Sequence, residues 1–270
     1  MRIDIHTHAF HHRVAARAVS ALNRAMNLHC EASGSLQDLI QEEEGCGMDR
    51  FAVLCCAARA GQVRAVNNFA LSLRKEDARI LPFGTVHPCE SAWEEELDRL
   101  AAHGIGGLKL HPDYQGFGMD DPMLWAVLEA CEGRFCVLFH VGSQSAFPET
   151  APSSPQALLK LVRNFPRVDI IAAHLGGHHM WQHVAKVFAG VHCPHLWFDT
   201  SSTTSALDEK SLRSLLRLLP SDHCFFGSDW PIFHVEPELE RLQRKAGLGS
   251  AQLEALLQQA ASLLQHYYPL

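Results

Sequence analysis

Short runs of apolar and β-branched residues recur along the whole chain, and each run is typical of a β-strand. Eight of them lie at residues 2–7, 50–57, 80–86, 105–110, 135–140, 168–174, 196–200 and 224–228. Between these runs apolar residues recur at the helical spacing, which predicts helices at 35–44, 62–77, 178–189, 208–219, 237–246 and 251–265. The pattern is therefore a strand followed by a helix, repeated along the chain.

Local end signals predict three further helices. Ser91 and Glu94 have the spacing of a capping box, which predicts a helix that ends with Gly104 as its left-handed cap. Asp121 and Ser154 each precede a proline, an arrangement typical of a capped helix with proline in its first turn. These helices lie after the third, fourth and fifth predicted strands, so they fit the same repeat.

Strands that alternate with helices of this length favour a parallel sheet with right-handed crossovers. The fold class is α/β, and a closed (β/α)8 TIM barrel is the simplest arrangement. An open doubly wound sheet usually has a glycine-rich turn after its first strand, where this chain has His-Thr-His. No linker or charge block divides the chain, so residues 1–270 are predicted to form one domain. Residues 143–155, which contain three prolines, are predicted to form a long loop.

Polar residues at the carboxyl ends of the predicted strands are the candidates for chemistry, because the active site of such a barrel lies there. His6 and His8 end the first strand. Side chains alternate between the two faces of a strand, so both imidazoles are predicted to point into the barrel mouth. Ile3, Ile5 and Thr7 are predicted to face the helices. Two converging imidazoles indicate a site for a metal such as zinc.

Three later strand ends carry residues of the same kind. His140 ends the fifth strand, and His174 ends the sixth on the predicted face of Ile170 and Ala172. Asp229 follows the eighth strand, where a carboxylate is costly to bury without a partner. Each histidine alone would also fit a hydrogen-bonded core residue. The agreement of four strand ends favours a mixed histidine and aspartate metal site.

Three more groups are predicted to bind substrate. Lys109 and His111 share a face of the fourth strand, and Arg59 follows the second strand. Lys109 is predicted to bind an anionic group of the substrate, although a lysine carbamylated by carbon dioxide would instead be a metal ligand. His111 and Arg59 are predicted to assist in binding that anion. A surface salt bridge would account for Arg59 equally well.

At these positions the sequence resembles the amidohydrolase superfamily, and most of all the compact branch that contains aminocarboxymuconate-semialdehyde decarboxylase. The segments Ile-Asp-Ile-His-Thr-His, Gly-Leu-Lys-Leu-His-Pro, Phe-His-Val-Gly, Ala-His-Leu-Gly-Gly and Phe-Gly-Ser-Asp-Trp-Pro follow the family's order. The resemblance implies a barrel without the accessory β-sandwich of many members. It implies a divalent metal on His6, His8, His140 and Asp229, with His174 beside it as an electrophile or proton carrier.

The leading hypothesis is a metal-dependent hydrolase of an amide, ester or lactone bond in a small, carboxylate-bearing substrate. A divalent ion, zinc or another such as manganese, lowers the pKa of a bound water toward about 7. Asp229 would accept the proton of that water, and His174 would polarise the scissile carbonyl. One ion is favoured over two. The alternatives are a non-oxidative decarboxylase, a TatD-type deoxyribonuclease, which would have glutamate where Lys109 stands, and a non-catalytic metal-binding protein.

Charge and composition limit the partners. Lysine and arginine total 23 against 30 aspartates and glutamates, a net charge of −7, which disfavours nucleic acid and membrane surfaces as partners. The apolar runs fall short of the roughly 18 residues of a membrane helix, and a strand pattern begins at residue 2, so we expect no signal segment. The nine cysteines, without a C-x-x-C motif, are predicted to be reduced. We therefore expect a cytoplasmic enzyme with a small-molecule substrate, and a homodimer is the candidate assembly.

Overall fold

A parallel sheet of eight strands forms the centre of the computed structural model, which describes residues 1–143 and 151–270. Neighbouring strands pair in sequential order, as predicted for a TIM barrel. The predicted loop at 143–155 lies partly outside the described residues. The strands are β1 Ile3–Thr7, β2 Arg50–Leu54, β3 Ile80–Gly84, β4 Gly107–Leu110, β5 Cys136–Phe139, β6 Ile170–Ala172, β7 Leu196–Asp199 and β8 Cys224–Phe225.

The junction of β8 with β1 nearly closes the barrel. The backbone N–H of Ile5 donates to Phe226 O at 3.0 Å, and the N–H of His8 donates to Trp230 O at 2.6 Å. The carboxylate of Asp4 adds a side-chain link, since its Oδ1 accepts the N–H of Ser228 at 3.1 Å. The first and last strands are therefore joined at the end of the barrel where His8 lies.

Helices cover the outside of the barrel, and every segment with the predicted helical period contains one. The helices are α1 Ala15–Met26, α2 Leu36–Gly45, α3 Val63–Glu76, α4 Trp93–Ala102, α5 Pro112–Gln115, α6 Pro122–Cys131, α7 Pro155–Asn164, α8 Ala173–Gly176, α9 Trp181–Phe188, α10 Thr203–Ala206, α11 Glu209–Leu218, α12 Val235–Ala246, α13 Ser250–Gln258 and α14 Ala260–Leu264. None of the described helices is long and apolar enough to cross a bilayer.

The predicted helix ends are correct in part. Asp121 and Ser154 accept backbone N–H groups from the first turns of α6 and α7, which confirms both caps. Gly104 has a φ of +76° and follows α4 as predicted. The capping box is wrong, because α4 begins one residue later than expected. Ala92 therefore occupies the cap position, and Ser91 lies outside it.

Helix α1 is a feature that the sequence analysis did not predict. Val14 occupies its cap position and offers no side-chain oxygen to the first turn. Ala15, Val19, Leu22 and Met26 nevertheless recur at the helical spacing and lie on the less exposed face of the helix. The cap signal is therefore missing here, whereas the apolar period is present in the sequence.

Two apolar clusters occupy the two faces of the sheet. The outer cluster joins strand residues such as Phe51, Val137 and Phe198 to the helices. The inner cluster fills the barrel and continues into α14 and the residues after it. Its members are Ile3, Ile5, Ala52, Leu54, Leu81, Phe83, Cys136, Leu138, Ile171, Ala173, Phe225, Ala260, Leu263, Leu264 and Tyr268. All nine cysteines are free thiols, as predicted.

The inner cluster contradicts the predicted alternation in β1. Ile3 and Ile5 were expected to face the helices, but both lie inside the barrel. The pairing of β1 with β2 shifts register between Asp4 and Thr7, which is the mark of a β-bulge. The bulge allows Ile5 and its neighbour His6 to face inward together.

The alternation predicted for β6 is wrong for a similar reason. Ile170 and Ala172 belong to the outer cluster, whereas Ile171 and Ala173 lie inside. His174 comes next and would point outward in a regular strand. Its φ of +58° and ψ of +44° are left-handed, and this turn of the backbone brings the ring to the site at the barrel mouth.

Candidate metal centre

Three side chains converge at the carboxyl end of the barrel. Nε2 of His6 lies 3.2 Å from Nε2 of His8 and 3.5 Å from Oδ1 of Asp229. The remaining separation, between Nε2 of His8 and Oδ1 of Asp229, is 3.8 Å. Ligand atoms about 2.1 Å from a tetrahedral ion lie about 3.4 Å from one another. The three donors therefore have the spacing of ligands to one metal ion.

The outer ring nitrogens of the two histidines are already hydrogen-bonded. Nδ1 of His6 lies 2.8 Å from Oδ2 of Asp199, and Nδ1 of His8 lies 3.0 Å from Leu54 O. A carboxylate and a carbonyl only accept, so each Nδ1 carries the proton and each Nε2 has a bare lone pair. Two bare lone pairs 3.2 Å apart repel each other unless a cation lies between them. This is the arrangement of metal-binding histidines, whose second nitrogen donates to a carboxylate or carbonyl.

Asp229 is buried, and its backbone conformation places its carboxylate beside Nε2 of His6 and Nε2 of His8. Its φ of +65° is left-handed, a conformation that aspartate tolerates better than most residues. Its N–H donates to His6 O at 2.8 Å, and its Oδ2 accepts the hydroxyl of Ser202. Burial alone would raise the pKa of Asp229, but His6, His174 and His8 hold it below its usual range. The carboxylate is therefore ionised and ready to bind a cation.

His174 lies beside the donors as a neutral imidazole. Burial lowers the pKa of His174 to about 4, against the opposing charge of Asp229. Its Nδ1 lies 3.0 Å from Ser201 O, so that nitrogen carries the proton. Its Nε2 lies 3.1 Å from Nδ1 of His140 and accepts the hydrogen bond. The Nε2 of a neutral His174 is therefore a proton acceptor.

His140 contacts His174 and lies outside the three-donor group found among the described residues. Because its Nδ1 donates to His174, its Nε2 has a bare lone pair, as a ligand requires. Burial lowers the pKa of His140 well below its usual value, so the ring is neutral. Ligation by His140 stays a prediction.

Lys109 and His111 lie at the site, as the pattern of β4 predicts. The fully buried amine of Lys109 lies 3.5 Å from Nε2 of His6. Burial lowers the pKa of Lys109, and the charges of Asp199 and Asp229 oppose that shift. The ring of His111 stacks on His140, with 3.8 Å between centroids and 6° between planes. Burial lowers the pKa of His111 well below its usual value, so this ring offers hydrogen bonds but no charge.

Arg59 is placed differently from the other predicted residues. It is exposed beyond β2, where its charge acts on the hydroxyl of Tyr114. Within the described part of the chain, no hydrogen bond or ion pair joins Arg59 to the metal donors. An anion-binding role for Arg59 stays a prediction.

Asp199, at the end of β7, is a site residue that the sequence reasoning missed. It is fully buried, and its Oδ1 accepts the N–H groups of His174 and Ser201, each at 3.0 Å. Burial alone would raise the pKa of Asp199, but His6 and His174 hold it below its usual range. The positional rule that selected Asp229 applies equally to this strand end and would have found Asp199.

Comparison with known proteins identifies the family. A family model described as Amidohydrolase matches residues 3–264, nearly the whole chain. The chain belongs to the amidohydrolase family. Among curated proteins, none matches this amidohydrolase significantly. The family agrees with the resemblance found in the strand-end motifs, and it makes the protein a metal-dependent enzyme of the amidohydrolase superfamily.

Solved structures share the fold at low identity. An amidohydrolase from Burkholderia multivorans with bound zinc is 16% identical, covers 100% of both chains and has a TM-score of 0.69. A dihydroxybenzoic acid decarboxylase from Polaromonas with bound manganese is 13% identical over 98% of this chain and 96% of its own, with a TM-score of 0.70. A protein described provisionally as a 2-pyrone-4,6-dicarboxylic acid hydrolase, from Pseudomonas putida, is 16% identical over 99% and 98%, with a TM-score of 0.67. These similarities establish the TIM-barrel fold of this amidohydrolase.

Proposed function

We propose that this amidohydrolase binds one divalent ion through His6, His8 and Asp229 and hydrolyses an amide, ester or lactone bond. The proposed substrate is a small molecule with a carboxylate group. The observation that carries the proposal is the pair of bare Nε2 lone pairs, 3.2 Å apart, beside the ionised Asp229. Two nitrogen donors and one carboxylate suit zinc best, and manganese is the alternative.

Asp229 is the proposed base. A bound divalent ion would supply Lewis-acid activation of water and of the substrate carbonyl. Ser202 donates to Oδ2 of Asp229, which leaves Oδ1 toward the donor pair. Because the carboxyl is ionised across the neutral range, it can accept a proton from the attacking water.

His174 is the proposed proton carrier. Its Nδ1 lies 3.9 Å from Oδ2 of Asp229, so the two side chains are neighbours at the barrel mouth. Its Nε2, which accepts a hydrogen bond from His140 in the neutral ring, would take up the proton that Asp229 removes from water and give it to the leaving group. The predicted alternative, polarisation of the carbonyl, requires a proton on Nε2, whereas the hydrogen bond to Ser201 O places the proton of the neutral ring on Nδ1. We therefore favour the proton carrier over the electrophile.

Lys109 is the proposed anchor for the substrate carboxylate. Its amine lies inside the barrel mouth near the donors, whereas Arg59 lies at the exposed rim. His111 would add a hydrogen bond without charge. We propose no nucleic-acid partner, because the chain is acidic overall. The cytoplasmic location and a homodimeric state stay predictions.

Non-oxidative decarboxylation is the second candidate. It is favoured by the dihydroxybenzoic acid decarboxylase that shares the fold over 98% of this chain. The same ion and the same Lys109 would bind a carboxylate, and His174 would deliver a proton taken up from solvent to the carbon that loses carbon dioxide. The products of the two candidate reactions differ. In hydrolysis the product contains an oxygen atom from water, whereas in decarboxylation a hydrogen replaces the lost carboxylate.

Isotope-resolved turnover tests both candidates. Zinc- and manganese-loaded protein is incubated in H₂¹⁸O with lactones, esters, amides and hydroxybenzoates that carry a carboxylate. Hydrolysis predicts a product with one ¹⁸O, whereas decarboxylation predicts released carbon dioxide and an unlabelled product. Asp229→Asn tests the proposed base. We expect this variant to lower turnover by about 10²-fold or more relative to the wild type. Labelled product formed equally by Asp229→Asn would contradict the proposed base.

A further inference from the structure

Strand β7 provides none of the three metal donors, yet its last residue contacts two residues of the site. Asp199 is fully buried, lies opposite His6 and also reaches the backbone of His174. We propose that Asp199 is a positioning residue that sets the tautomer of His6 and fixes the backbone of His174. This inference rests on the proposed metal site and assigns a role to a residue outside the ligand set.

The first half of the inference concerns the His6 ring. Its Nδ1 lies 2.8 Å from Oδ2 of Asp199, and both side chains are almost completely buried. A neutral imidazole carries one proton, and a carboxylate attracts it to the nitrogen that faces it. Asp199 therefore leaves the lone pair of His6 on Nε2, the nitrogen 3.2 Å from His8. With the proton on Nε2, His6 could not bind a cation.

The second half concerns the left-handed turn at the end of β6. His174 and Leu175 both have positive φ, a left-handed conformation that is unfavourable for L-amino acids. The N–H of His174 donates to Oδ1 of Asp199 at 3.0 Å, which holds this turn in place. Without the turn, the alternation of β6 would direct the ring outward.

Ser201 connects the two halves. Its N–H and its hydroxyl both donate to Oδ1 of Asp199, and its carbonyl accepts from Nδ1 of His174. One carboxylate thus organises the backbone that fixes the proton position in the His174 ring. The metal donor His6 and the proton carrier His174 share Asp199 as a partner, so the position of one depends on the position of the other.

Asp199→Asn tests the first half by replacing one carboxylate oxygen with an amide nitrogen. The side-chain oxygen can still accept from His174 and Ser201, which leaves the amide N–H₂ facing Nδ1 of His6. An N–H₂ group donates, so the His6 proton is expected to move to Nε2. We expect zinc affinity to fall about 10–100-fold, measured by competition with a chromogenic chelator. In the metal-free protein, ¹⁵N NMR of the imidazoles is expected to report the changed tautomer.

Asp169→Asn is the matched control. Oδ1 of Asp169 lies 2.9 Å from Nδ1 of His195, and its Oδ2 accepts the hydroxyl of Tyr267 at 2.7 Å. The substitution thus alters a carboxylate–imidazole pair of the same kind. Asp169 lies just before β6 and His195 just before β7, at the end of the barrel away from the metal donors. Unchanged zinc affinity is expected. An equal loss in both variants would overturn the proposal, because the effect would then be one of general stability.

Asp199→Ala tests the second half at saturating zinc, because it loses the oxygen that accepts from His174, which Asp199→Asn keeps. If Asp199 also fixes His174, kcat of fully loaded Asp199→Ala falls below that of fully loaded Asp199→Asn, with little change in KM. Equal kcat values for the two loaded variants would overturn this half. Wild-type zinc affinity and an unchanged His6 tautomer in Asp199→Asn would overturn the first half.

Wild-type protein keeps the inference testable if Asp199→Asn does not fold. The metal-free wild type is expected to have the His6 proton on Nδ1, and a proton on Nε2 would overturn the first half. Failure of the wild type to bind zinc or to turn over any substrate would instead contradict the proposed function. The tautomer measurement does not depend on that outcome.

Discussion

The amine of Lys109 lies 3.5 Å from Nε2 of His6, the nitrogen proposed to bind the metal. A protonated amine at this distance repels a divalent ion. Lys109→Met retains the volume and removes the charge, so we expect the variant to bind one equivalent of zinc about tenfold more tightly. Chelator competition and elemental analysis measure both quantities.

A carbamylated Lys109 would give the opposite result. It would be a ligand, so Lys109→Met would lose metal, and the wild type would need bicarbonate for full metal content. A mass increase of the intact wild-type protein that acid removes would support that form. Weaker zinc binding by Lys109→Met would refute the role of Lys109 as a charged substrate anchor.

The donor pair on β1 predicts a loss of metal when both rings are removed. His6→Ala with His8→Ala leaves Asp229 as the one remaining donor of the triad, and a single carboxylate does not retain a zinc ion through dialysis. The matched control is His11→Ala with His12→Ala, an exposed pair with ring centroids 4.1 Å apart. Elemental analysis should find metal in the control and almost none in the test variant. Equal metal in both would show that the ligand set is wrong.

Gly227, just after β8, predicts a packing effect on the same site. A Cβ at this position would lie 2.8 Å from Cβ of His6 and 3.3 Å from Cβ of Ser201. Gly227→Ala is therefore expected to lower the free energy of unfolding by about 1–3 kcal/mol and to weaken metal binding, because His6 must move. Gly61→Ala is the control, since a Cβ there meets no atom within 4 Å. Urea unfolding and chelator competition check the two effects, and wild-type values for Gly227→Ala would contradict them.

Glu238 predicts a pH dependence of stability. Its buried carboxyl accepts from Thr204 and contacts Arg241, but burial dominates and raises the pKa of Glu238 from 4.5 to about 7. Between these values the folded protein retains a proton that the unfolded chain releases, so the carboxyl lowers the free energy of unfolding as pH rises from about 4.5 to 7.

Glu238→Gln removes this titration. Relative to the wild type, the variant should gain about 3 kcal/mol of unfolding free energy between pH 4.5 and pH 8. The measurement is urea unfolding at a series of pH values, with the exposed Glu240→Gln as the control. A stability difference that does not change with pH would contradict the assignment.

Regular secondary structure could be predicted from the sequence, because it depends on residues that are near one another in the chain. The eight strands follow from their apolar runs, and Lys109 and His111 face the site because β4 alternates regularly. Helix α1 was missed because no side chain caps it, although its apolar residues recur at the helical period. The capping box at Ser91 failed because a shift of one residue moves the cap.

The predicted residues His6, His8 and Asp229 lie close together, although part of the reasoning that grouped them fails. His6 and His174 were assigned to the barrel mouth by strict alternation, but a bulge and a left-handed turn place them there. Those irregularities depend on partners far along the chain, such as Asp199, that a local pattern does not contain. The rule that polar residues gather at strand ends succeeded because it depends on topology rather than on alternation.

The irregular backbone of β1, His174 and Asp229 has a consequence for protein engineering. Grafting these side chains onto an idealised barrel with uniform strands would leave the His174 ring against the surrounding helices and would remove the bulge behind His6. A designer who wants this cation site must therefore copy the main-chain distortions first and choose the side chains second.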